Sequence, residues 1–260
     1  MKTYKKDVSD EEVRRMMVDH INEMLNKVRP RVQVELKQED KDEVKTKTKK
    51  KPAGWGRVSR DEREFLVDIF EYPDLSVTTR GSRLGLSDYK MNNLKAKVID
   101  MALVEQFSVN IGKEFGGRIT LLALTGAGYK ALRKKPVVRP DNVSEEHWWW
   151  QTHIKDYFER KGVKAELEKS IDGKRADIGL VKDGEEVAVE VELSPKNALS
   201  NITVDLDAGF DRVVCCCKDK MVAKEVQRRL KEHKRYASIK DLVEVKVLTE
   251  LQLVKEMCGK

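Results

Sequence analysis

Residues 185–193 read EEVAVEVEL, and this short run constrains the chain more than any other. Val187, Val189, Val191 and Leu193 alternate with Glu186, Ala188, Glu190 and Glu192, the period-two pattern of a β-strand. Two strand-like runs precede it, VKAELE and KRADIGLV, separated by turn signals at Asp172-Gly173 and Asp183-Gly184. The run is therefore predicted inside a sheet, apolar on one face. Glu190 and Glu192 then occupy adjacent positions on the other face. Like charges so placed repel, and burial makes the repulsion worse. Asp177, in KRADIGLV, is placed on the neighbouring strand where it can approach the pair, and Glu168 closes the first strand. Three or four carboxylates brought together are most easily tolerated when a hard cation neutralises them.

The rest of residues 141–260 frames that strand. Ser144-Glu145-Glu146 opens a helix that ends near Gly162. After the three strands come a helix near Lys196–Asp207 stopped by Gly209, a buried strand RVVCCC, an amphipathic helix from Asp219 to about His233, a strand LVEVKV and a last helix. The order α-β-β-β-α-β-α-β-α predicts a small α/β domain with a mixed sheet. His147 and Gln151 lie one helical turn apart on its first helix, placed to face the acids, although a histidine there can equally cap or pack. Lys196 stands just beyond Glu192, and Glu168 has Lys169 and Arg175 as ordinary ion-pair alternatives. The tryptophans at 148, 149 and 150 cannot share one helix face, so at least one is expected at an interface or in solvent. Cys215, Cys216 and Cys217 read as inert core thiols.

Residues 55–140 have a different pattern. Ser59-Arg60-Asp61-Glu62 caps a helix through Phe70 that Pro73 stops, and a short helix follows near Val77–Leu84. Gly85-Leu86-Ser87 forms a tight turn before a longer helix from Asp88 to about Met101. LVEQFSVNI and RITLLALT, joined through Gly116-Gly117, make a hairpin, and Thr125 caps a closing helix. In the third helix Met91, Leu94, Val98 and Met101 share the core face. The opposite face carries Tyr89, Asn92 and Asn93, with Ser87, Asp88 and Lys95 beside them and Ile99 intruding. Asparagine can bond adenine bidentately and lysine can reach guanine or phosphate, so this face suits DNA. Lys113 and Arg118 at the hairpin tip suit phosphates. Modules of this plan also bind proteins, and no residue here separates DNA from RNA.

Charge agrees with that placement. The 260 residues carry a net charge of +7, and 37% of them are charged. Residues 1–140 are net basic, and residues 141–260 are slightly acidic. Residues 1–54 are predicted to form a helix, with Val13, Met16, Met17, Ile21, Met24 and Leu25 at helical spacing, and then a polar tether with five lysines between positions 45 and 51. The longest apolar runs are about five residues, too short for a membrane span or signal-peptide core. Four cysteines without a CxxC pair predict neither a disulfide framework nor structural zinc, so a reducing cytoplasm is the expected compartment.

Residues 55–140 resemble the winged helix-turn-helix plan of the MarR/ArsR-like group, through "LGLS" before the third helix and "LTGAGYKAL" after the hairpin. Residues 141–260 resemble the PD-(D/E)xK restriction-endonuclease-like superfamily: Asp177 matches its Asp, Glu190 its Glu, and Glu192 stands where lysine is usual. The string His147, Gln151, Gly162, Glu168-Lys169, Asp177, Glu190-Val191-Glu192, Ser194, Asn201-Ile202, Gly209-Phe210-Asp211 further resembles a nuclease-like module at the C-terminus of archaeal HerA/FtsK-like and conjugation-type ATPases. This chain has no GxxxxGK[ST] of its own. The resemblance implies an α/β plus α+β fold and a DNA-binding protein with a metal-dependent endonuclease. In it, Mg²⁺ or Mn²⁺ is held by Asp177, Glu190 and Glu168, with Glu192, Lys196 and His147 around the reacting phosphate. It further implies double-stranded DNA as partner, a homodimer and an ATPase partner, while the short apolar runs predict no membrane. The alternative is a non-catalytic regulator or scaffold whose nuclease-like domain serves dimerisation or partner binding.

Overall fold

A computed structural model of the chain describes residues 58–137, 140, 143–182 and 184–257. The helix and lysine-rich tether expected within residues 1–54 lie outside these. The described residues are mixed α/β and divide by contact into two units. One holds those up to Gln106 together with Leu121–Pro136, and the other holds Phe107–Thr120 and everything from Val137 onward.

The first unit begins with α1 (Arg60–Glu71). Ser59 Oγ accepts from Glu62 N at 3.3 Å while the Glu62 carboxylate accepts from Ser59 N at 2.8 Å, so two orphan donors of the first turn are satisfied. Helix α2 (Val77–Arg83) follows, and Ser87 caps α3 (Asp88–Asp100). Strands β1 (Val104–Gly112) and β2 (Gly117–Leu124) form a two-stranded sheet, closed by α4 (Gly126–Leu132). Thr125 pins that closure twice, accepting from Gly128 N at 3.2 Å and donating to Ala102 O at 2.6 Å. Met91 and Val98 of α3 are buried with Phe65, Leu66 and Ile69 of α1, with Leu94 and Met101 packed against them, as the helical spacing requires. Asp68 and Arg80 form a buried ion pair in this unit, extended by Arg83 Nε at 2.9 Å. The far end of the hairpin groups with the second unit. An atom added at Gly112 would meet Thr249 Cβ at 3.3 Å.

The second unit runs α5 (Glu145–Arg160), β3 (Lys164–Ile171), β4 (Lys174–Lys182), β5 (Glu185–Glu192), α6 (Ala198–Ala208), β6 (Arg212–Cys217), α7 (Lys220–Glu232), α8 (Tyr236–Ile239), β7 (Val243–Val247) and α9 (Gln252–Met257). The five strands lie in sequence order, antiparallel from β3 to β5 and parallel from β5 to β7. Each parallel step needs a crossover, which α6 supplies after β5 and α7–α8 after β6. Strand β5 is thus the middle of the sheet, and from Ala188 onward it is buried. Ala188, Val213, Cys215 and Cys217 pack with Ala198 and Ile202 of α6 and with Ala223 and Val226 of α7. The three cysteines are buried. Of the tryptophans, 149 and 150 are buried and 148 is half-exposed. Among the described residues no helix is long and apolar enough to cross a membrane.

Candidate functional site

The β4–β5 ladder ends at the pair Ile178 and Val189, and beyond it carboxylates take over the backbone donors. Asp177 N donates to Glu190 Oε1 at 3.0 Å, and Val191 N donates to Asp177 Oδ2 at 2.7 Å. On the other side, β3 pairs Leu167 with Ile178 and Lys169 with Ala176, which sets Glu168 opposite Asp177. Glu168 has φ of 53°, a left-handed conformation that a non-glycine residue holds only where its surroundings enforce it. Three acids from three adjacent strands therefore stand in one row.

Two helices close on that row. From α5, Gln151 Nε2 donates to Asp177 Oδ1 at 2.8 Å and to Glu168 Oε1 at 3.0 Å. One turn earlier, His147 Nε2 lies 2.9 Å from Asp177 Oδ2. From α6, Asn201 Nδ2 donates to Glu192 Oε1 at 2.9 Å, while the Asp205 carboxyl stands beside that of Glu190. Both strand glutamates thus reach α6, as the period-two argument places them on one face.

The electrostatics follow from burial. Glu190 and Glu192 are 4% and 6% exposed, and Asp205 only 1%. Desolvation raises the Glu190 carboxyl well above the ordinary carboxylate range, and the charges of Asp177 and Asp205 raise it further. Burial likewise lifts Glu192 to about 7, although its hydrogen bond from Asn201 works the other way. Burial lifts Asp205 to about 6. Burial opposes a charge on His147, but Asp177 beside it, with Glu192 and Glu168, outweighs that and raises the imidazole above its ordinary value. Glu168 has Arg175 at 3.6 Å. The site is a desolvated excess of acid.

Of the expected site residues, Asp177, Glu190, Glu192, Glu168 and His147 converge. Lys196 does not join them. It is exposed in the segment before α6 and bonds none of the acids. Asp205 was missed at the sequence level, and Gln151 and Asn201 were placed without a role. A signal existed for Asp205: the buried residues of α6 are Ala198, Ile202, Asp205 and Ala208, so an acid stands in an apolar stripe of helical spacing. In the first unit, Tyr89, Asn92 and Asn93 are exposed on α3, and Lys95 is half-buried. Ser87, also exposed, accepts from Lys90 N at 3.4 Å as the helix cap. Lys113 and Arg118 are exposed on the hairpin.

Oxygen-rich carboxylate sets suit hard divalent cations. Asp205 Oδ2 and Gln151 Oε1 are buried oxygens that accept no hydrogen bond. Both Asp177 oxygens, however, already accept hydrogen bonds. Among the described residues no three His, Cys, Asp or Glu side chains are spaced to hold an ion as they stand. The donor chemistry fits, and Asp177 must exchange its N–H partners to use it. Set against protein-family models, curated proteins and solved structures, the chain matches none.

Proposed function

We propose that this chain is a DNA-docking protein with a divalent-metal-dependent endonuclease centre. Residues 55–140 act as a winged helix-turn-helix and residues 141–260 as a PD-(D/E)xK-like domain. The observation that carries the reading is the row of Glu168, Asp177 and Glu190 where β4 and β5 stop pairing, an excess of acid with Glu190 buried and His147 beside Asp177. Asp177, Glu190 and Glu168 would hold Mg²⁺ or Mn²⁺. Such an ion, when bound, lowers the pKa of water and offsets charge on a phosphodiester. Glu192, lifted to about 7, is suited to take a proton from an attacking water near neutral pH. Gln151 keeps Glu168 and Asp177 side by side, and His147 Nε2 stands 2.9 Å from the second Asp177 oxygen. Exposed Lys196 is free to move toward a bound phosphate. Tyr89, Asn92, Asn93 and Lys95 would read the major groove from the helix that Ser87 caps, with Lys113 and Arg118 on backbone phosphates. A homodimer would present two centres to two strands, and the module resemblance makes an ATPase a suitable partner.

A second reading, a non-catalytic DNA-binding regulator or scaffold, is favoured by the saturated Asp177 oxygens and by Glu192 in the usual lysine position. Supercoiled, linear and branched DNA with Mg²⁺ or Mn²⁺ separates the two. Cutting by the native chain and not by Asp177→Ala/Glu190→Ala supports the nuclease. A gel shift without cutting leaves the regulator, and cutting by both chains marks a contaminant. Asn92→Ala/Asn93→Ala weakens the shift by about tenfold or more if α3 reads bases.

A further inference from the structure

The deepest acid of the cluster comes from α6 and not from the sheet. Asp205 is 1% exposed, whereas the Asp177 side chain is 18% exposed. It occupies a position in the apolar stripe of α6 where Ala198, Ile202 and Ala208 are its companions. Among the described residues neither Asp205 nor Glu190 is paired with a lysine or arginine, and the two carboxyls stand beside each other. One of its oxygens, Oδ2, is buried and accepts no hydrogen bond. A second such oxygen, Gln151 Oε1, belongs to the residue whose amide nitrogen holds Glu168 and Asp177, and Gln151 is 0% exposed. Two touching carboxyls in a dry interior persist by sharing a proton or by flanking a cation. A shared proton serves the carboxyl pair alone and leaves Gln151 Oε1 bare. A divalent cation, which takes six or more oxygens, has use for both.

We propose that Asp205 is a direct ligand of the divalent cation, so that α6 supplies part of a site otherwise built on β4 and β5. This rests on the metal-centre reading above. Asp205 closes the inner side of the site, and Gln151 Oε1 is available to the same ion. Asn201, one turn earlier on α6, holds Glu192 in place beside it.

The test is Mn²⁺ binding to the full chain, read by calorimetry and by the rise in melting temperature that Mn²⁺ induces. The variants are Asp205→Asn, Asp177→Asn and, as control, Asp207→Asn, whose exposed carboxylate pairs with Arg235 at 2.7 Å. The expected result is loss of at least about tenfold in Mn²⁺ affinity for Asp205→Asn and Asp177→Asn, and none for Asp207→Asn. Without metal, Asp205→Asn should melt no lower than the native chain, because it removes an acid and not a cation's partner. Native-like affinity in Asp205→Asn beside a loss in Asp177→Asn overturns this inference and leaves the metal centre standing. No binding by the native chain overturns both. If Asp205→Asn melts lower, Asp205→Ser is judged by the same affinity criterion.

Discussion

Without metal, the second unit should become less stable as pH rises from 5 to 8, the reverse of what paired surface carboxylates produce. The cause is the direction of the shifts. Glu192 titrates near 7 in the fold against an ordinary carboxyl value of 4.5, so between those limits the folded chain holds a proton that the unfolded chain has released. Stability is therefore fully present below the unfolded value and is lost as pH rises through the folded one. At about 1.4 kcal/mol per pH unit, Glu192 alone accounts for roughly 2–3 kcal/mol between pH 5 and pH 8. Asp205 (about 6), Glu190 (raised) and His147 (raised) all act with the same sign. Urea unfolding in a chelating buffer measures it. Trp149 and Trp150, buried in α5, report fluorescence from the same unit as the acids. The midpoint should fall steadily across this range, with a shallower fall in Glu192→Gln. A flat or rising profile, or an unchanged slope in Glu192→Gln, refutes the assignment of these acids to a desolvated cluster.

Two further outcomes probe the first unit. Gly128→Ala places a methyl group 2.1 Å from the Leu103 carbonyl oxygen and 3.1 Å from Leu124, so α4 must lift off the hairpin. A loss of about 2–3 kcal/mol, or failure to accumulate folded protein, is expected by denaturant unfolding. Asp68→Ala strands the buried Arg80 guanidinium, whose remaining acceptors are the carbonyls of Tyr72 and Leu75. It should cost about 3–5 kcal/mol by the same measurement.

Element order was legible in the chain because each element carries its own local chemistry. Serine or threonine caps α1, α2, α3, α4 and α5, glycine ends α6, and period-two valines mark β5. Those rules act over one or two turns and need no partner. The convergence of Asp177 and Glu190 was legible too, since strand alternation and short turns leave few registers open.

Tertiary structure decided the rest. Asp205 looks like any acid near a helix end until packing against β4 and β5 buries it to 1% and sets its carboxyl on Glu190. The left-handed Glu168, the Gln151 bridge and the grouping of the hairpin end with the second unit each depend on residues far apart in the chain. The apparent charge of these acids was also undecided by sequence, because a carboxyl's affinity for its proton is set by the water it loses and the neighbours it meets. Local chemistry determined the elements and their order, whereas desolvation by elements distant in sequence determined which acids form the site and which keep their protons.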